Sequence, residues 1–420
     1  MTRGLMIAAP SSGAGKTTIT LALLRALKNA GVNYGSAKSG PDYIDPQFHE
    51  AASGNECVNL DAWAMAPDRI QALANGPENL LIEATMGLFD GAGVSGKGSA
   101  AELAQILCAP VILVLDAAKQ SQSIAALVQG FVSHNRNINI SAVILNKVGS
   151  ARHEEILRAA LAPLKIPVLG AIPRDKHFTL SERHLGLVQA REHINLDGFI
   201  SKAAEIIAEQ IDLKVFHSFG KTLKTIPSNT RLSPPAQRIA IAQDAAFAFT
   251  YPHMVSDWRA QGAELSYFSP LADEAAPNAD LVFLPGGYPE LHAGKLSGNT
   301  TFLNSLKAAR QVYGECGGYM VMGDALIDKQ GKSHSMAGLL RLVTSFEHPK
   351  LHLGYRRLEA KGSLFEGVFS GHEFHFASTL TAKGDPLFSA EDADGNVRQD
   401  MGLQSDQFAG SFAHIIDRRP

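Results

Sequence analysis

A chain of 420 residues, 45% hydrophobic and 19% charged, is long enough for two separate cores and has the composition of a globular protein. Its net charge of −3 and the lack of any dense Lys/Arg run give no electrostatic footprint for nucleic acid or an anionic membrane, so small-molecule chemistry is the expectation. The first apolar run, Leu5 to Ala9, is too short for a signal-peptide core, no run of about 18 apolar residues follows, and Cys57, Cys108 and Cys316 form no paired framework or metal-ligand spacing; a cytoplasmic protein in a reducing compartment is expected.

Short apolar runs at 4–9, 80–84, 111–116, 142–145 and 168–172 predict strands. Helical patterns separate them, such as 16–30 with Ile19, Leu23, Leu27 and Ala30 on one face. That alternation predicts an α/β fold with a doubly wound parallel sheet. Residues 211–236 lose periodicity, gather Lys, Ser, Thr and Pro, and end in Ser233-Pro234-Pro235, where a linker is expected. The alternation restarts at 238–242, 264–268, 280–284 and 311–313. The expected organisation is a nucleotide-binding domain over 1–225, a linker over 226–236 and a second α/β domain over 237–420, with no internal repeat.

The first strand leads into Pro10-Ser11-Ser12-Gly13-Ala14-Gly15-Lys16-Thr17-Thr18, which opens the first helix. Consecutive N–H groups and the positive helix end would converge there on phosphate oxygens, with Lys16 reaching the β and γ positions and Thr17 the Mg²⁺. Gly13, Gly15, Lys16, Thr17 and Thr18 are therefore the ATP-binding candidates, although Pro10 stands where such loops begin with glycine. Asp42 and Asp45, in Gly40-Pro41-Asp42-Tyr43-Ile44-Asp45-Pro46, fall at the carboxyl edge of the sheet and could hold Mg²⁺; solvated turn aspartates fit the same spacing. Glu83 ends the run Leu80-Leu81-Ile82, where an unpaired carboxylate is costly, which favours a metal role. Asp90 suits either a metal or a turn, and Asn146, ahead of Lys147 after a strand, is placed to meet a nucleotide base.

In the second half, Gly314-Glu315-Cys316-Gly317-Gly318 puts a cysteine on a Gly-flanked turn between a strand and a helix, a nucleophile's position. Gly286 and Gly287 end another strand, and the N–H groups of Gly287 and Gly317 are candidates for an oxyanion hole. A thiol of ordinary pKa, about 8.5, needs a base at neutral pH. Gly371-His372-Glu373-Phe374-His375-Phe376 offers two histidines, of which His375 is the better candidate; a structural histidine fits the same pattern.

Pro285-Gly286-Gly287, the Cys316 turn and Glu373-Phe374-His375 resemble the three signatures of class I glutamine amidotransferase domains, which have a flavodoxin-like α/β fold. The resemblance implies that Cys316 takes the γ-glutamyl group of L-glutamine, His375 relays protons and ammonia leaves. Those domains usually carry Pro-Glu after the histidine, where this chain has Phe376-Ala377, and no replacement for the triad acid is evident. The N-terminal half is similar to dethiobiotin synthetase-type ligases. Ala8-Ala9-Pro10, Lys38-Ser39-Gly40-Pro41-Asp42-Tyr43-Ile44-Asp45-Pro46, Glu182-Arg183-His184-Leu185-Gly186-Leu187 and 244–249 together resemble the a,c-diamide synthases of corrin biosynthesis. That family implies ATP- and glutamine-dependent amidation of hydrogenobyrinate or cobyrinate, with Mg²⁺, through an acyl phosphate. Hydrogenobyrinate is expected to be preferred.

Lys38, Tyr43, Arg183, His184 and the 247–251 region are the candidates for macrocycle binding. A cobyric acid synthase-type amidation, a ParA-like ATPase switch and a regulator with an inactive glutaminase half are the competing readings. The sequence leaves the oligomeric state open, a homodimer included.

Overall fold

The first strand, β1 (Arg3–Ala8), is buried from Gly4 onward because helices cover both faces of the sheet it joins. The computed structural model describes the whole chain except Lys176, His177, 179–181, His184, Leu185, Val188, Ile194, Ser228, Asn229, Ser363 and Pro420. Two compact units are present, Met1–Asn229 and Thr230–Pro420.

In the first unit, β1 is joined by β2 (Gly35–Ser39), β3 (Cys57–Leu60), β4 (Asn79–Glu83), β5 (Val111–Asp116), β6 (Ile140–Val148) and β7 (Val168–Pro173), in the order β3-β2-β4-β1-β5-β6-β7. All of these pairs are parallel. The strand order reverses beside β1, so the carboxyl ends of β1, β2 and β4 frame the crevice where such sheets bind ligands. Helix α1 (Lys16–Asn29) starts there and buries Ile19, Leu23 and Leu27, as its periodicity predicts.

Two strands escaped the reading of apolar runs. β2 and β3 read Gly-Ser-Ala-Lys-Ser and Cys-Val-Asn-Leu, and their polar residues Lys38 and Asn59 are buried, so hydrophobicity does not mark them. Within 211–236, ahead of the expected linker, two short elements form. A short helix, Leu213–Ser218, is capped by the Asp212 carboxylate, which accepts from Lys214 and Val215 N–H at 2.8 and 3.1 Å. The strand Lys221–Thr222 then pairs antiparallel with Arg3–Gly4. These elements are too short to show a period, and the partner of the strand lies at the other end of the unit.

In the second unit, Glu264–Phe268, Arg238–Ala242, Leu281–Leu284, Val312–Glu315 and Phe408–Ser411 form a parallel sheet in that order, with Leu403–Gln404 antiparallel at its edge. Two four-stranded sheets, both mostly antiparallel, add to this sheet. One contains His352–Ala360, Val368–His375 and His414–Arg418, and it supplies every histidine of the candidate amidase site. No helix among the described residues is long and apolar enough to cross a membrane.

Candidate active sites

In the first unit the phosphate loop turns through Gly13 and Gly15, whose φ angles of 78° and 90° suit glycine. Lys16, 7% exposed, donates to the Ser11 and Met86 carbonyls at 3.3 and 2.6 Å. Thr18 is buried beside it. Thr17 Oγ1 lies 2.6 Å from Glu83 Oε1 and 3.3 Å from Asp45 Oδ2. Lys38 Nζ bridges the same two carboxylates at 2.7 and 2.5 Å. Behind Glu83, His49 Nε2 is 2.6 Å from Oε2, and the other ring nitrogen is 3.5 Å from Cys57 Sγ.

The charges in this cluster hold one another. Burial by itself would deprotonate Lys38, but the Asp45 and Glu83 carboxylates keep its pKa well above the usual lysine value. Burial would likewise protonate Glu83, yet Lys38 and His49 hold it far below the carboxylate range. Asp45 is pushed up by burial and by the Asp42 charge, against the pull of Lys38. For His49, the contacts with Cys57 and Glu83 outweigh burial and raise the imidazolium to about 10.

Asp45 and Glu83 thus meet at Thr17, while Asp42 turns its Oδ1 to the Ile44 and Asp45 N–H groups at 2.8 and 3.0 Å, shaping the turn into the helix Asp45–Ser53. The Asn146 amide donates to the Ala14 carbonyl at 2.8 Å and accepts from Lys147 N–H at 2.9 Å, so it braces the phosphate loop. Lys38, expected at the macrocycle, is only 3% exposed and committed to the carboxylates, and Tyr43 is 8% exposed. Arg183 lies in the strand Glu182–Arg183, of which the backbone alone is described, and His184 lies outside the described residues. His49 was not singled out from sequence; its place one helical turn after Asp45 was the available signal.

In the second unit Cys316 joins the strand Val312–Glu315 to the helix Gly317–Met322 with φ 47° and ψ −103°, a left-handed turn no ordinary residue adopts unforced. Its N–H donates to the Ser411 carbonyl at 2.8 Å, and Gly318 N–H donates to Pro285 at 3.1 Å, so the turn is pinned from two neighbouring strands. The Gly287 nitrogen stands 3.1 Å from where a Cβ on Gly317 would be, which sets the two oxyanion-hole candidates side by side. Burial pushes the Cys316 thiol up, reinforced by the Glu290 charge and opposed by the Gly317 N–H. At rest it is a thiol and needs a base.

The ring at this turn is that of His414. A Cβ on Gly286 would collide with it, 2.9 Å from Nε2, and would stand 3.3 Å from Cys316 Cβ. His375, the expected base, holds Glu373 Oε1 at 3.0 Å through Nε2 and is stacked between Phe412 and His352, with centroids at 3.9 and 4.7 Å. Arg356 takes the other Glu373 oxygen at 2.7 Å. Burial would raise Glu373, but the bond and charge of His375, with Arg356, hold it down at about 2. His414 itself is lowered to about 3 by burial and by the nearby His372 and His375.

His352, Glu373 and His375 bring potential ligand atoms within 4.8 Å of one another, although Arg356 already occupies Glu373. Phe247, Phe249 and Tyr251, expected at the macrocycle, are at most 4% exposed. Phe249 N–H donates to the Gly286 carbonyl at 3.0 Å, so this segment walls the cysteine site.

Fold and sites together define the class: a nucleotide-binding ligase domain and a glutamine amidotransferase domain on one chain. Residues 5–188 match the CobQ/CobB/MinD/ParA nucleotide binding domain, and residues 238–419 match the CobB/CobQ-like glutamine amidotransferase domain. The chain belongs to the hydrogenobyrinate a,c-diamide synthase family. The protein of that name from Brucella abortus is 52% identical, covering 99% of this chain and 98% of its own. Those from Rhizobium meliloti and Rhodobacter capsulatus are 50% and 47% identical, with 99% of this chain covered in each case and 99% and 98% of theirs. Among solved structures, the septum site-determining protein MinD complexed with Mg-ADP from Pyrococcus horikoshii OT3 aligns with 49% of this chain and 96% of its own, at 21% identity and a TM-score of 0.30.

Proposed function

We propose that this chain amidates the a and c acetate carboxylates of hydrogenobyrinate, using ATP and glutamine in the cytoplasm. The observation that carries the reading is the presence, on one chain, of a Gly-flanked cysteine turn and of a phosphate loop whose Thr17 meets two buried carboxylates. ATP would phosphorylate a substrate carboxylate, and ammonia would then displace phosphate from the acyl phosphate.

Thr17, Asp45 and Glu83 offer three hard oxygens at one point, a set that suits Mg²⁺. When bound there, the ion would neutralise phosphate charge. Lys16, at the head of the loop, supplies positive charge to the transferred phosphoryl group. Lys38 keeps both carboxylates ionised and in place.

At the amidase site His414 takes the thiol proton of Cys316, and the sulfur attacks the glutamine side-chain amide. The resulting oxyanion lies between the Gly287 and Gly317 N–H groups. His414 returns the proton to the leaving ammonia, and water then hydrolyses the thioester. His414 takes this role over His375 because its Nε2 lies at the turn, whereas His375 is spent on Glu373.

The acceptor is tested by kcat/KM for hydrogenobyrinate against cobyrinate at saturating ATP and glutamine. Preference for hydrogenobyrinate is expected. A tenfold preference for cobyrinate, about 1.4 kcal/mol, would overturn this choice of substrate.

A further inference from the structure

We infer that Glu315, the residue immediately before the nucleophile, is the positioning residue that orients His414, a role that rests on the reading of Cys316 and His414 given above. Glu315 ends its strand fully inside the unit, 1% exposed. Its Oε1 accepts two hydrogen bonds, from Tyr313 Oη at 3.1 Å and from Ile415 N–H at 2.9 Å. These two donors fix the plane of the carboxyl group and leave Oε2 directed at His414 Nδ1, 3.6 Å away. One of them is the amide next to His414, so the carboxyl and the ring are held to the same piece of backbone.

Burying an acid costs free energy, and an acid held there by two donors and aimed at one ring nitrogen is placed to choose the tautomer of that ring. With the single imidazole proton on Nδ1 and shared with Oε2, Nε2 carries the lone pair, and Nε2 is the nitrogen at the turn. The thiol proton then moves to Nε2, the sulfur–carbon bond forms, and the imidazolium charge is met by the Glu315 carboxylate. The proton leaves with ammonia, and Glu315 ends as it began. A separation of 3.6 Å is loose for a hydrogen bond, as resting catalytic pairs often are before substrate tightens them. This supplies the acid that Phe376-Ala377 does not.

Tyr313, Cys316, His414, His372 across from His414 in the neighbouring strand, and the Glu366 and Arg418 that line an adjoining cavity are the titratable and charged groups around Glu315. Burial raises its carboxyl to about 8, against the Ile415 and Tyr313 donors, so the ionised, tautomer-setting form accumulates as pH approaches that value.

Glu315→Gln keeps the shape but presents an N–H to Nδ1, which selects the wrong tautomer. It is expected to lower kcat/KM for glutamine hydrolysis by about 100-fold or more and to remove the rising limb of its pH profile. Added to His414→Ala, it is expected to cost less than about twofold further, because it acts only through that ring. Activity within threefold of wild type, or a full additional loss in the His414→Ala background, would overturn the inference. If Glu315→Gln does not fold, as judged by circular dichroism, Tyr313→Phe decides: about a tenfold loss supports the role and an unchanged kcat/KM contradicts it. Wild-type glutamine hydrolysis by His414→Ala alone would instead sink the underlying reading of His414.

Discussion

His49 Nε2 stands 2.6 Å from Glu83 Oε2, and both side chains are completely shielded from solvent. Glu83 therefore balances two buried cations, His49 and Lys38, besides accepting from Thr17. Removing its charge strands them with Asp45 as the remaining carboxylate of the cluster. Glu83→Gln is expected to lose about 3 kcal/mol or more of stability in urea unfolding, along with synthetase turnover. Asp45→Asn, whose side chain is 12% exposed, is expected to lose turnover with a smaller change in stability. A Glu83→Gln protein as stable as wild type would show that the cluster is not held by this charge.

The two histidines are separated by substitution. His414→Ala is expected to reduce glutamine hydrolysis by about 10²-fold or more, the range of a lost general base, and His375→Ala by far less. The reverse order would return the base to His375. Gly286→Ala is expected to behave like His414→Ala, since the added methyl would occupy the space of the ring; a fully active Gly286→Ala enzyme would contradict that placement.

Glu373 makes stability depend on pH in a defined window. Its carboxyl is lowered in the fold to about 2, whereas an unfolded glutamate titrates near 4.3. The unfolded chain therefore binds the proton first as pH falls, and the stabilisation present above about 4.3 is lost between there and about 2. Glu373→Gln is expected to be less stable than wild type at pH 7, by about 1–3 kcal/mol, with the gap closing on acidification through that window. A gap that stays constant from pH 7 to 2.5 would show that the Arg356 and His375 contacts do not depress this carboxyl.

Much of the parallel framework was legible because its strands are apolar runs separated by helical periods, and the phosphate loop and cysteine turn were legible because glycine spacing is local. What a motif could not carry was position across the sheet. His414 follows the strand Phe408–Ser411, which pairs with the nucleophile strand, and that adjacency is set by strand order. The signal was Gly410-Ser411-Phe412-Ala413-His414, a histidine just past a strand end, but nothing in the sequence says whose neighbour that strand is. The surroundings of Lys38 were hidden for a related reason. That two carboxylates from other elements stand against this lysine is set by tertiary position and not by a local motif. Glu373 precedes His375 by two residues, on the same face of one strand, so their contact is local, but that it withdraws His375 from Cys316 shows only in the fold.

The division of labour between the two domains is tested most directly with Cys316→Ser, assayed for amidation of hydrogenobyrinate with ATP and either glutamine or an ammonium salt. Glutamine-dependent amidation is expected to vanish while ammonium-dependent amidation stays within about twofold of wild type, because the ligase chemistry consumes ammonia whatever its source. Loss of both activities in a protein that still folds, or glutamine-dependent amidation that survives the substitution, would contradict it.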